Sequence, residues 1–393
     1  MNEVIVREYA RITTSQVMPT LDEATVSASA FDWLCKLSAN YRKSGAALLQ
    51  VEDRVSLRLD NYVGVVQTPC GTCLEILPKH ADHPDDKEWS RLLLRKMLLS
   101  FLDLPVRDAG LANIELFKSP LTEWVMTQFL LSLDHLIKRG MRFDYQSVEE
   151  EQRFLRGQLD VAKQMRQPVG RQHFFQLRHD IFSPNRPENR LLKTALDKVC
   201  RHAKEPNNWR LAHELAGLLS EVPCSKDTSA DFRLWRKDRL MAHYQPVKPW
   251  CELVLGEHMP TAVKGIWHGI SLLFPMEKLF EKYVAAKIKA SLKTDLYLNA
   301  QVASQTLCQH KEKGFFTLKP DMLLKGENKQ RLAILDTKWK LLDKLATNYG
   351  LSQSDFYQLF AYGHKYLDGN GALFLIYPKT SHFDKPLPVF EFS

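Results

Sequence analysis

The chain has 393 residues, a net charge of +8 and 45% hydrophobic residues, which allows two or three domains with ample cores. Its seven cysteines are odd in number and mostly scattered, which excludes a disulfide framework and suits a reducing cytoplasm. The composition is ordinary for soluble protein, and the positive balance favours a polyanionic partner.

The first residues, Met1–Ser15, carry charges throughout and no apolar core, so no signal peptide is expected. Residues 1–87 read as a β-rich module. Short strands alternate with one helix at Ala28–Ser44, Val51–Leu59 alternates, and a hairpin follows from Tyr62 to Leu77. Pro69 and Gly71 supply its turn. Cys70 and Cys73, with His80 and His83, offer four zinc-ligand types, but their spacing is tighter than that of a usual zinc finger. A simple hairpin is the reading adopted.

Residues 88–255 read as mainly helical and as the partner-docking region. The predicted helices are Leu92–Leu102, Leu121–Ile137, Arg190–Ala203 and Ala212–Leu219. The most apolar stretch, Trp124–Ile137, is interrupted by Thr127, Gln128, Ser132, Asp134 and His135. It is too short and polar to span a bilayer, and no membrane partner is expected. Pro184 and Pro187 break the chain before Asn189, a candidate N-cap. Arg153, Arg156, Lys163, Arg166, Arg171 and Arg178 stand against Asp160 alone, a stretch that reads either as facing DNA or a partner or as a plain solvated surface. Pro246, Pro249 and Pro260 mark a looser connection. No G-x-x-x-x-G-K-[ST] loop occurs, so the chain alone is expected to bind no nucleotide.

Residues 256–393 read as a compact α/β unit. Pro275 opens a helix with an apolar stripe of Met276, Leu279, Phe280, Tyr283, Val284 and Ile288. Phe315–Leu324 and Leu332–Lys338 form two strands around a polar turn. Phe356, Leu359, Phe360 and Gly363 fall on one face of a second helix, with Gln358 and Tyr362 on another stripe. A buried strand, Gly371–Tyr377, closes the unit.

Between these elements runs Lys319-Pro320-Asp321, then fourteen residues, then Asp336-Thr337-Lys338. This is the P-D…(D/E)-x-K pattern of a metal-dependent phosphodiesterase. With the turn centred near Glu327–Asn328, Asp321 falls opposite Ile334, roughly 7 Å along the strand from Asp336. A bulge at Pro320 would close that gap. Two convergent carboxylates make a hard oxygen site suited to Mg²⁺ or Mn²⁺. Asp321 and Asp336 are the candidate metal ligands, with the Thr337 carbonyl, and Glu281 as a further carboxylate from the first helix. Such a cation activates water and neutralises charge on the phosphate. Lys338 is expected to orient the attacking water and offset developing negative charge.

Four segments resemble the McrC family: Met276–Tyr283, Lys319–Asp321, Ile334–Lys340 and Asp355–Tyr362. The upstream stretches Tyr62–Pro69, Leu74–Lys79, Leu155–Asp160 and Pro187–Lys193 are similar to family landmarks, so the resemblance covers roughly residues 50–380. Gln358 with Tyr362 resembles the Q-x-x-x-Y element of RecB-type nucleases. The resemblance implies a C-terminal PD-(D/E)xK restriction-endonuclease-like domain with Asp321, Asp336, Lys338, Gln358 and Tyr362 as catalytic residues. It also implies a partner, an McrB-like AAA+ GTPase hexameric ring, and double-stranded, modified DNA as substrate.

The reading is therefore a multi-domain α/β protein: an endonuclease subunit of a methylcytosine-type, modification-dependent restriction complex, which docks on the ring and stimulates it. The rivals are a stand-alone PD-(D/E)xK nuclease in DNA repair and a non-catalytic adaptor of an AAA+ ring.

Overall fold

The structure, a computed structural model, describes residues 3–42, 48–80, 82, 85–104, 119–256 and 271–392. Thus His83, one of the four possible zinc ligands, and Pro260 of the proline-bearing connection lie outside the described residues. The chain divides into two units: Met1–Leu121 with Met259–Ser393, and Thr122–His258.

In the first unit, alternating apolar residues build two small sheets. Strands β1 (Glu3–Arg7), β2 (Arg11–Thr13) and β3 (Glu23–Thr25) precede helix α1 (Ala28–Arg42). Then come β4 (Leu49–Val51), β5 (Ser56–Leu59), β6 (Tyr62–Gln67) and β7 (Cys73–Leu77). One sheet has the order β3-β2-β5-β4. Val6, Ile12, Leu57, Leu74 and Ile76 bury their side chains with Phe31, Leu34 and Leu37 of α1. Burying such side chains removes apolar surface from water at about 25 cal/mol per Å².

The β6–β7 hairpin forms as expected, with Gln67 paired to Cys73. Its turn is closed by Thr68 and Thr72 (2.9 Å) and by Gly71 at φ +86°, a conformation that glycine adopts without strain. Cys70 is exposed on this turn, and His80 packs its ring on Trp89 at 3.8 Å.

Helix α2 (Lys87–Phe101) begins at Asp86, whose side chain accepts from the Trp89 amide and satisfies an orphan donor. It is anchored by a buried ion pair between Arg91 and Glu75 of β7 at 2.5 Å.

The second unit is mostly helix, and it also holds a sheet that was not expected from the sequence. Helix α3 (Leu121–Lys138) leads into a three-stranded sheet of β8 (Asp144–Gln152), β9 (Gln158–Leu159) and β10 (Phe175–Ser183), in the order β8-β10-β9. A short helix, α4 (Val161–Met165), lies within this stretch. The basic run faces acidic partners there: Lys163 pairs with Glu149 and Arg171 with Glu151 at 2.9 Å. These glutamates, just upstream in sequence, return on the neighbouring strand, so the run's positive charge is partly offset.

Helices α5 (Pro187–His202), α6 (Pro206–Leu218), α7 (Thr228–Leu234) and α8 (Lys248–Leu255) complete the unit. Leu191, Leu192, Ala195, Leu196 and Val199 of α5 are fully buried. Asn189 is not the N-cap of α5. Arg186 holds that position with Pro187 following it, because a proline at the first helical position leaves no donor wanting. The Asn189 amide instead donates to the carbonyls of Arg142 and Pro184, both at 2.9 Å.

The chain then returns to the first unit. Strand β11 (Leu272–Pro275) adds to the N-terminal sheet, giving the order β1-β7-β6-β11. Phe274 pairs with Val63 and Leu273 with Gly64. A Cβ on Gly64 would lie 1.9 Å from the Leu272 carbonyl oxygen, so only glycine permits this approach. The stretches read as separate N-terminal and C-terminal regions thus share one sheet. The reason is that a four-residue apolar strand completes the edge of β6.

Helix α9 (Met276–Ser291) follows, with Met276, Leu279 and Phe280 buried. Next come β12 (Tyr297–Ala300), β13 (Gln305–His310), β14 (Lys313–Leu318), β15 (Met322–Lys325) and β16 (Arg331–Thr337), then helix α10 (Gln353–Leu367) and β17 (Ala372–Ile376). The second core sheet has the order β12-β15-β16-β17. It pairs β15 antiparallel and β17 parallel to β16, so β16 is central. Leu323 and Ile334 meet Leu359, Tyr362, Tyr366 and Leu367 of α10 in one core.

The buried face of α10 is rotated from the expected stripe. Tyr362 is 3% exposed, whereas Phe360 is 43% exposed and packs on Phe392. Tyrosine can be buried here because its hydroxyl finds hydrogen-bond partners. No helix among the described residues is long and apolar enough to cross a membrane.

Candidate active site

Strand β16 is apolar until its last residues, and its charges emerge where it leaves the core. Ile334 is fully buried, and Asp336 is 2% exposed. The register Met322↔Leu335, continued by one residue, sets Asp321 across from Asp336. This differs from the expected pairing of Asp321 with Ile334. The register shift lies between Leu324 and Lys325, not at Pro320. The extra residue, Leu332, and a loop centred on Asn328 together move β16 along by two positions.

The Asp321 carboxylate is fixed by strand β16 itself. Its Oδ2 accepts from the Thr337 amide at 2.7 Å and the Thr337 hydroxyl at 2.6 Å. Charge-assisted bonds of this kind are strong, and they aim the other oxygen away from Thr337. Lys338 Nζ lies 2.8 Å from Asp336 Oδ2 and donates to Gln358 Oε1 at 3.0 Å. Gln358 Nε2 donates to the Tyr362 hydroxyl at 2.6 Å. That hydroxyl donates to the Lys319 carbonyl at 3.0 Å. The five expected catalytic residues therefore converge at one end of β16. Four of them form a chain of polar contacts that ends on the backbone preceding Asp321.

Glu281 of α9 accepts from Gln301 Nε2 at 3.1 Å and lies near enough to feel the charges of Asp321 and Asp336. Burial raises its pKa, and the charge of Asp321 adds to that rise. Asp336 is likewise pushed up by burial and then by Asp321, against the hydrogen bond from Lys338. Burial works against the Lys338 ammonium, yet Asp336, Asp355 and Asp321 hold its pKa above the ordinary value. It is therefore a cation at neutral pH.

Several contributors were not assigned from sequence. Asp355, in the first turn of α10, lies 3.9 Å from Lys338 and 3.5 Å from the Tyr377 hydroxyl. Its position one helical turn before Gln358 is the sequence signal that places it here. Trp339 packs on Phe280 at 5.2 Å, and its indole donates to Glu8 of the N-terminal module at 2.6 Å. Nothing local in sequence signals that long-range contact.

The donor set suits a hard divalent cation. Burial first, and then the charge of neighbouring carboxylates, raises the pKa values of Glu281 and Asp336, and a cation would relieve the second of these causes. Among the described residues no three His, Cys, Asp or Glu side chains stand together as a ready-made metal cage. Asp321 and Asp336, set across from each other, are the kind of one- or two-carboxylate oxygen set that an ion such as Mg²⁺ takes while keeping several of its waters.

A family model described as McrBC, "McrBC 5-methylcytosine restriction system component", matches residues 57–378. Among solved structures, the chain is similar to one in a refined half-complex from the tetradecameric assembly of Thermococcus gammatolerans McrB AAA+ hexamers with bound McrC. The TM-score is 0.70 at 20% identity, over 100% of this chain and 91% of that one. A second match, in a cryo-EM structure of the Thermococcus gammatolerans McrBC complex, has a TM-score of 0.55 at 19% identity. It covers 74% of this chain and 89% of that one. No curated protein matches. On the family match, the chain belongs to the McrBC family of 5-methylcytosine restriction system components.

Proposed function

We propose that the chain is the McrC-type nuclease subunit of a modification-dependent restriction complex, cutting DNA by metal-dependent phosphodiester hydrolysis. The observation that carries this reading is the contact chain from Asp336 through Lys338, Gln358 and Tyr362 to the Lys319 carbonyl. It joins both halves of the P-D…D-x-K pattern, and an ordinary solvated hairpin has no need of it.

In this reading Asp321 and Asp336 hold a Mg²⁺ or Mn²⁺ ion, with the Thr337 carbonyl and Glu281 as further oxygen donors. When bound, the ion lowers the pKa of water and neutralises charge building on the phosphate. Lys338 is the fixed positive charge beside the reacting phosphate and a donor to the incoming water. Gln358 holds the Lys338 ammonium in place, and Tyr362 fixes Gln358. Asp336, and after it Asp355, favours the charged form of Lys338.

The partner in this reading is an McrB-like AAA+ GTPase hexameric ring, and the substrate is double-stranded DNA carrying methylcytosine. The family match and the two McrB-containing assemblies support it. Within the unit Thr122–His258, Phe154, Leu155, Met165 and Val169 are between 62% and 96% exposed. Several strongly exposed apolar residues within one short stretch of sequence suit an interaction surface, so this unit is the candidate for docking. Its location is the cytoplasm, where free cysteines persist.

The test is reconstitution with an McrB-like GTPase, GTP, Mg²⁺ and duplex DNA with or without 5-methylcytosine. The reading expects cleavage only when ring, GTP, Mg²⁺ and modified DNA are all present. Cleavage by the chain alone would support a stand-alone nuclease. Stimulated GTP hydrolysis without cleavage would support an adaptor.

A further inference from the structure

Strands β13 and β14 pair with each other and belong to no larger sheet. Every residue from Leu307 to Thr317 is exposed on this hairpin. A two-stranded hairpin with no core of its own is marginal in water, and this one displays large apolar side chains. Phe316 is 72% exposed and Leu307 is 44% exposed. The register Thr306↔Thr317 and Cys308↔Phe315 sets Leu307 across from Phe316. At that point the ladder is interrupted, because Phe316 has φ +59°. A bulky side chain in the left-handed region is uncommon, and such positions cluster at functional sites.

The base of the hairpin is hydrogen-bonded to α10, the helix that carries Gln358 and Tyr362. The Tyr366 hydroxyl donates to the carbonyl of Leu318 at 2.8 Å. It also accepts from the amide of Ser304 at 3.2 Å. One turn earlier on α10, Tyr362 holds the Lys319 carbonyl. Strand β14 then runs directly into Lys319-Pro320-Asp321. The tip carries His310, Lys311 and Lys313, and Lys319 stands at the base, against Glu312 alone. That charge suits a polyanion.

We propose that this hairpin is a DNA-contacting wedge: Phe316 and Leu307 pack against bases beside the cleaved phosphate, and Lys311 and Lys313 meet the backbone. The proposal rests on the nuclease reading above and adds the substrate contact that positions the duplex. Aromatic and apolar side chains that contact unstacked or minor-groove bases gain affinity with little dependence on sequence. That suits a nuclease subunit whose choice of target lies elsewhere in its complex.

The test is fluorescence anisotropy of a labelled duplex with the full-length Asp336→Asn chain as parent, which keeps the DNA intact. Phe316→Ala should weaken binding by roughly fivefold or more, the loss of one stacking contact. Phe316→Trp should retain affinity. Val389→Ala, a change at another highly exposed apolar residue (89%), should change nothing. The double variant Lys311→Ala/Lys313→Ala should lower the slope of log Kd against log salt by about 1 to 2. Equal affinity of Phe316→Ala and its parent overturns the wedge, as does a parent chain that binds no duplex. A Phe316→Ala chain that binds DNA normally but loses a protein partner also overturns it, in favour of a protein contact. Cleavage is scored separately. If Asp336→Asn still cuts DNA while Phe316→Ala weakens binding, the nuclease assignment fails and the wedge stands.

Discussion

Glu8 and Trp339 are joined by a hydrogen bond of 2.6 Å from the indole to the carboxylate, across more than three hundred residues of sequence. The same Glu8 oxygen accepts from the Lys79 amide at 2.8 Å, and its other oxygen is buried without a partner among the described residues. The bond ties the N-terminal module to the residue that follows Lys338, at the point where β16 delivers its charges. Glu8 thus fixes the indole of the residue next to Lys338.

Burial pushes the Glu8 carboxyl from its ordinary 4.5 up to about 7. A raised carboxyl pKa means that the folded state binds the proton more tightly than the unfolded state. Its stabilising contribution is therefore present below pH 4.5 and is lost as pH rises through about 7. The full loss is about 3 kcal/mol. Glu8→Gln keeps an acceptor for the indole and removes the charge. Thermal unfolding should therefore show the variant close to the parent at pH 5 and more stable than it at pH 8. A constant difference across that range would show that Glu8 is not the titrating group.

Gln358 bridges Lys338 and Tyr362 and carries no charge toward the phosphate. Gln358→Ala should slow single-turnover cleavage by roughly tenfold, the scale of one hydrogen bond to a charged group. Asp321→Ala should cost on the order of 10³-fold, since it removes metal chemistry. Equal losses would contradict this division of roles.

Gly64 has φ +130°, and a Cβ there would meet the Leu272 carbonyl at 1.9 Å. Gly64→Ala should cost about 3 kcal/mol or more, by prying β11 from β6. Gly71→Ala, also at positive φ but with nothing within 4 Å, should cost only about 1 kcal/mol. Urea unfolding of both variants checks the contrast. A fragment beginning near Gly256 should not fold alone, because β11 would lose its sheet. Cooperative melting of that fragment by circular dichroism would refute the shared sheet.

Much of the candidate site's geometry was readable because its residues sit on short, regular elements. The apolar run before Asp336, the D-x-K spacing, and the helical offset of Gln358 and Tyr362 are local signals, and the structure brings those residues together. The strand register was misread because neither the loop centre at Asn328 nor the bulge at Leu332 leaves a trace in composition. The β8–β10 strands were missed because their exposed faces carry Glu, Gln and Arg, which read as polar loop. The contacts of Glu8 with Trp339 and of β11 with β6 depend on chain segments far apart, where no periodicity connects them. The rotated face of α10 followed from tyrosine hydroxyls finding partners in a core that simple apolar counting assigned to Phe360.

The most direct test of the account is single-turnover cleavage of methylated duplex DNA by the reconstituted complex carrying Asp336→Asn. The substitution preserves volume and removes one negative charge from the proposed metal site. The account predicts that cleavage falls on the order of 10³-fold or more, about 4 kcal/mol of transition-state stabilisation, while assembly with the ring and its GTP turnover are unchanged. Cleavage at near wild-type rate in Mg²⁺ would contradict the assignment of this site.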